Sequence, residues 1–187
     1  MSDEPRTRDA ILGRFRKAYT AFDAALAKLT DQQMLAPGPG GGWSARDVLA
    51  HVGADHLWYT GQMTALLEGR EPNAAECYGD VPPPGPGHDL STQDGRNRLQ
   101  LEQNRDVPLD EVRRRYRANR DRLEAIMERL PDDQMEQPYA IAVLGFTGQV
   151  RPAAEGEQGF PLWQWLRGNT WHHYEDHLKD IEAAPGR

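Results

Sequence analysis

The chain has 187 residues, 38% hydrophobic and 27% charged, a length that suits one domain with one core and a composition unlike that of a disordered chain. Lysine and arginine number 22 against 29 aspartates and glutamates, a net charge of −7, and no window combines clustered basic residues with aromatics, so nucleic acid is not an expected partner. No apolar run approaches the roughly 20 residues needed to cross a bilayer, the single cysteine excludes an internal disulfide, and an N-terminus without the blocks of a secretory signal makes the cytoplasm the expected compartment.

Ile11, Leu12, Phe15, Tyr19, Phe22, Leu26 and Leu29 recur at steps of three and four, which predicts an amphipathic helix over residues 8–29. The tract Pro37-Gly-Pro-Gly-Gly-Gly42 then breaks regular structure, because proline lacks an amide donor and glycine admits positive φ. Ser44 with Asp47 three positions on reads as a capping box. From it Val48, Leu49, Val52, Tyr59, Met63 and Leu66 carry a second helix to about residue 68. Pro72 and Val81-Pro-Pro-Pro-Gly-Pro-Gly87 predict a long irregular loop over residues 72–90, with Cys77 in it as an ordinary thiol.

Residues 91–106 are very polar, Leu99 and Leu101 being the only large aliphatics; they read as a short helix on the surface or over a site. After Pro108, the positions Leu109, Val112, Tyr116, Leu123, Ile126, Met127 and Leu130 define a third long helix that Pro131 ends. Its basic residues Arg113, Arg114, Arg115, Arg117, Arg120 and Arg122 lie among acids and read as a solvated outer face. The one β-like run, Ile141-Ala-Val-Leu-Gly-Phe-Thr147, is too short to found a sheet and predicts a hairpin or an ordered loop. Pro161 suits the first turn of a fourth long helix, whose stripe Leu162, Leu166, Thr170, His173, His177 and Ile181 continues to about residue 183. The expected fold is a single all-α domain over residues 1–187, a four-helix bundle with long loops and room for a short hairpin before the last helix.

Six histidines are present: His51, His56, His88, His172, His173 and His177. His173 and His177 are four apart, so on a helix they share a face and can converge on one ion; His172 turns about 100° away. Neutral inward imidazoles suit Zn, Ni, Cu or Fe. A third ligand has to come from another helix, and His51 is the natural choice, with Asp47 and Asp55 four residues to either side as acceptors for its outer nitrogen. Read alone, His51 is more readily a satisfied polar core residue than a ligand. His56 and His88 read as surface or packing residues.

The stretch Trp43-Ser-Ala-Arg-Asp-Val-Leu-Ala-His51 resembles the second-helix signature of the DinB/YfiT-like metalloenzyme superfamily. The stretch Leu166-Arg-Gly-Asn-Thr-Trp-His-His-Tyr-Glu-Asp-His177 resembles its closing helix, in the form found in the ClbS/DfsB group. The resemblance implies an up-down-down-up four-helix bundle, a Zn or Ni ion on His51, His173 and His177, and a homodimer. The segments 72–90 and 137–160 depart from the pattern. For function it implies a small-molecule enzyme, foremost a thiol-dependent S-transferase or isomerase in which an ion-bound low-molecular-weight thiol meets an electrophile, with Arg46, Arg167 and Asn169 as candidate partners for the thiol's polar groups. The alternatives are a metal-independent, ClbS-like hydrolase of a reactive toxin, in which Tyr174, Glu175 or Asp176 assists a water, and a non-enzymatic binder of a small ligand.

Overall fold

A computed structural model of the chain describes residues 4–39, 42–79, 92–144 and 147–184. Helix α1 (Arg8–Leu26) begins at Thr7, whose hydroxyl accepts from the Ala10 amide, and it buries Ile11, Leu12, Phe15, Phe22 and Ala25. It ends three residues before its apolar stripe does. The amides of Lys28 and Leu29 turn to the carbonyls of Ala25 and Leu26, tightening the last turn, and Thr30 opens α2 (Asp31–Leu35) with a capping box on Gln33. This short helix, not expected from the apolar pattern, sets Met34 into the core.

Helix α3 (Ala45–Leu67) starts where predicted. The Ser44 amide donates to Asp47 at 3.1 Å and the Asp47 amide to the Ser44 hydroxyl at 3.2 Å, satisfying two amides that the helix itself cannot. α3 is the central member, packing against α4 (Ala74–Tyr78), α5 (Gln93–Asn104) and α6 (Leu109–Met127). Two glycines permit this closeness: a Cβ on Gly53 would stand 3.1 Å from the Tyr116 Cα, and one on Gly61 would stand 2.8 Å from the Cys77 sulfur. Cys77 therefore sits in a buried helical turn rather than in irregular loop. Residues 80–91, the rest of the expected loop together with His88, lie outside the described residues.

Helix α6 also stops short of its expected end at residue 130, the Arg129 and Leu130 amides bonding to the carbonyls of Ile126 and Met127. Its arginines form the expected ion-paired face: Arg113 meets Asp31 and Asp110, while Arg114 and Arg115 share Glu111. Arg120 departs from it. Only 15% exposed, it pairs with Asp23 and lies 4.7 Å over the Tyr19 ring.

The β-like run founds a small sheet after all. β1 (Pro138–Leu144) pairs antiparallel with β2 (Thr147–Pro152), and β3 (Phe160–Pro161) covers the other edge of β1, giving the order β2-β1-β3. The third strand, two residues long, comes from the approach to the last helix, which a length argument on one run could not see.

The fourth long helix is not continuous. α7 (Leu162–Asn169) and α8 (Trp171–Glu182) meet at Thr170, whose φ of −124° and ψ of −97° leave the helical region. The Asn169 amide and the Thr170 hydroxyl each donate at 2.6 Å to the carbonyls of Trp165 and Leu166, claiming acceptors that a continuing helix needs. α1 packs on α8 and α3 on α6, and the four-helix bundle of α1, α3, α6 and the α7–α8 pair closes around Phe15, Phe22, Tyr116 and Tyr174, with His56 fully buried among them. His56 is thus a packing residue. Among the described residues no helix is long and apolar enough to cross a membrane.

Candidate metal centre

The Ser44 cap sets the first turn of α3, and with it the direction of His51 two turns later. The His51 ring is buried, and Trp43, immediately before the cap, packs edge-on against it with ring centres 5.0 Å apart. From α8, His173 and His177 bring their ring centres to 5.0 Å from His51 and to 4.8 Å from each other. The interruption at Thr170 leaves this pair intact, because both residues belong to α8. Nε2 of His51 and Nε2 of His173 are 3.0 Å apart, and one ring nitrogen from each histidine lies within 4.8 Å of the other two. The three residues singled out from sequence therefore converge.

The outer nitrogens show how the rings are set. Gln100 of α5 bonds by its oxygen to Nδ1 of His51 at 2.5 Å and donates from its nitrogen to Asp55 at 2.6 Å. An ionised carboxylate only accepts hydrogen bonds, so the NH2 of Gln100 must face Asp55 and its oxygen must face His51. His51 then carries its proton on Nδ1, and its Nε2 lone pair points at His173. Nδ1 of His177 faces Asp180 at 2.9 Å. Nδ1 of His173 is buried without a hydrogen-bond partner among the described residues.

The acids flanking His51 have other duties than expected. Asp47 is occupied by the helix cap and by Arg46. Asp55 faces the inner nitrogens instead of the outer one, with Oδ2 3.7 Å from Nε2 of His51 and 3.6 Å from Nε2 of His173. Burial lowers the His173 pKa to about 4 against the opposing pull of Asp55, and burial likewise lowers that of His177. At neutral pH these two rings are uncharged and offer lone pairs, the state that metal binding requires.

The donor set fits a divalent ion. Tetrahedral zinc holds imidazole nitrogens at about 2.0–2.1 Å, which places two such nitrogens roughly 3.3 Å from each other; the 3.0 Å gap between His51 and His173 is close to that. A groove runs between α3, α4, α5 and α6, lined among others by Ala50, Ala54, Trp58, Asn104 and Asn119 and by none of the three histidines. Gln100 lines it too, so one side chain borders both the groove and the histidines.

Other candidates lie elsewhere. His172 accepts from Arg167 at 3.0 Å, away from the cluster, as its rotation predicted. Arg46 is buried against the carbonyls of Asn104, Arg105 and Val107 and clamps the α5–α6 turn to α3. Arg167 holds His172 and Glu4, and Asn169 holds Trp165. Tyr174 is a core residue whose hydroxyl meets that of Tyr116 at 3.0 Å, while Glu175 and Asp176 are exposed. Sequence reasoning missed Gln100, Trp43 and Asp180 as neighbours of the histidines. Asp180 was accessible, lying one turn after His177; Gln100 sits in a polar stretch with no stripe to orient it.

A family model described as the mycothiol maleylpyruvate isomerase N-terminal domain matches residues 15–146. The match includes His51 and ends before His173 and His177. No curated protein sequence matches the chain. Among solved structures, the colibactin self-resistance protein ClbS in complex with a dsDNA is 12% identical with a TM-score of 0.67, covering 95% of this chain and 94% of that one. The mycothiol-dependent maleylpyruvate isomerase is 14% identical with a TM-score of 0.64; the alignment covers 94% of this chain but 61% of the isomerase. YfiT from Bacillus subtilis, described as a probable metal-dependent hydrolase with an unusual four-helix bundle topology, is 17% identical with a TM-score of 0.57, covering 97% and 88%. At these identities the likeness establishes the fold alone.

Proposed function

This chain belongs to the mycothiol maleylpyruvate isomerase N-terminal domain family, and from that premise we propose that it is a divalent-metal-dependent enzyme acting on a small electrophile with a low-molecular-weight thiol, as an S-transferase or isomerase. The observation that carries the reading is the convergence of His51, His173 and His177 from two helices, with the Nε2 atoms of His51 and His173 at 3.0 Å. The family description and the isomerase of the same fold, named for mycothiol, support the thiol; the fold of YfiT, described as a probable metal-dependent hydrolase, supports the ion.

His51, His173 and His177 would hold a Zn or Ni ion. When bound, such an ion lowers the pKa of a thiol or water and polarises a carbonyl. The chain's own residues supply the rest. Burial keeps His173 and His177 neutral, Gln100 fixes the tautomer of His51, and Trp43 covers one side of the His51 ring. Asp55, hydrogen-bonded by Gln100 and Tyr59, presents Oδ2 toward the same space and can accept a proton bond from a group held there. The groove bordered by Gln100 is the proposed entry for the electrophile.

The same proposal includes a homodimer in the cytoplasm. The partner is a small molecule. One protein of this fold is described in complex with dsDNA, so the fold does not exclude nucleic acid; the net charge of −7 and the acid-paired arginines of α6 argue against it here. The hydrolase alternative loses its named residues, since Tyr174 is in the core and Glu175 and Asp176 face solvent. The test is elemental analysis of the untagged protein beside a His173→Ala, His177→Ala variant, followed by assays with mycothiol, bacillithiol and glutathione against a panel of electrophiles. About one ion per chain, lost in the variant, with turnover in at least one thiol assay supports the reading. A chain that takes up neither Zn nor Ni overturns it.

A further inference from the structure

We propose that Gln100 is a positioning residue of the metal centre, joining a ligand histidine to the carboxylate that faces the ion position. The inference rests on the metal reading above and concerns how this chain alone builds the site. Gln100 belongs to α5, the polar helix expected on the surface or over a site, and its amide is the only side chain among the described residues shown to bond both His51 and Asp55. The two contacts are short, 2.5 and 2.6 Å, and point opposite ways: the oxygen accepts from His51 Nδ1 and the nitrogen donates to Asp55 Oδ1.

An amide presents an acceptor and a donor on separate atoms, so one side chain serves both partners. A carboxylate at position 100 could accept from His51 but would repel Asp55, and an aliphatic side chain could do neither. With Gln100 in place, the His51 proton is held on the outer nitrogen, leaving the inner lone pair free, and the Asp55 side chain is turned so that its second oxygen lies 3.6–3.7 Å from two inner nitrogens. Asparagine at 104 donates to the Gln100 backbone carbonyl at 2.8 Å, which steadies the last turn of α5 behind the side chain. Hydrogen-bonded outer partners of ligand histidines commonly change metal affinity 10- to 100-fold when removed.

The experiment measures Zn affinity by competition with a chromogenic chelator, and the visible d–d spectrum of the Co(II)-loaded protein, for the wild-type chain and for Gln100→Leu, Gln100→Glu and Asp55→Asn. Circular dichroism of each apo variant establishes that it is folded. The expected result is Zn affinity weakened about 10- to 100-fold in Gln100→Leu, with a shifted Co(II) band. Gln100→Glu should keep most of the affinity, because it still accepts from His51, yet shift the band, because it displaces Asp55. Asp55→Asn, which can still accept from Gln100, should shift the band in the same direction. If Gln100→Leu is folded and matches wild type in affinity and spectrum, the proposal is overturned while the metal reading stands. If the wild-type chain itself binds neither Zn nor Co, both fall together.

Discussion

Nε2 of His51 and Nε2 of His173 stand 3.0 Å apart across 122 residues of sequence. Two imidazoles at that distance can share one proton, or both can turn lone pairs to a cation between them. Binding of an ion to the folded chain alone stabilises it by mass action, about 2.7 kcal/mol at a hundredfold excess over Kd. Zn at that excess is expected to raise the melting temperature of the wild-type chain and to leave His173→Ala, His177→Ala unmoved; equal shifts in both would place the ion elsewhere.

His56 makes apo stability pH-dependent. Burial lowers its pKa well below the usual 6.5, so below that value the unfolded chain binds a proton that the native chain refuses. Its contribution is therefore fully present above about pH 6.5 and falls with falling pH, by up to about 1.4 kcal/mol per unit. In chelator, His56→Phe should lose less stability than wild type between pH 8 and pH 5. Comparing the two urea midpoints across pH cancels the packing change; parallel curves would show that His56 protonates as readily in the fold.

The seat of α6 on α3 depends on the missing side chain at Gly53. A methyl group there would meet the Tyr116 Cα at 3.1 Å, a backbone atom that cannot rotate aside. Gly53→Ala is expected to destabilise the protein by about 1–3 kcal/mol, read as a lower urea midpoint, even though alanine is the better helix former. A midpoint at or above wild type would mean that the two helices separate without cost.

Cys77 should be inert in the native state. Burial pushes its thiol up to about 12, and it lies against the backbone at Gly61. A thiol-reactive dye is expected to label it only after denaturant is added, and rapid labelling of the folded chain would contradict the packing described.

The parts of this structure legible in sequence are those with local causes. Ser44 and Asp47 are three residues apart and made the cap they predict; His173 and His177 are four apart and share a face. Helix ends were misjudged where Leu29 and Leu130 remain buried after the helix has tightened and stopped, so the apolar stripe outruns the hydrogen bonds. The division at Thr170 was hidden because its stripe position is buried and its hydroxyl bond is invisible to hydrophobic periodicity. Gln100 was illegible for a different reason. Its two partners lie 49 and 45 residues away, and nothing near it in the chain announces them.

The discontinuity at Thr170 works as a joint. In an unbroken helix, each residue gained or lost within the stretch that forms α7 would swing the histidine pair by about 100° about the axis relative to the helix start. With α8 beginning afresh at Trp171, its azimuth is set by its own contacts with α1 and α3. The segment before it can therefore be remodelled to reshape the molecule's periphery while the histidines keep their aim.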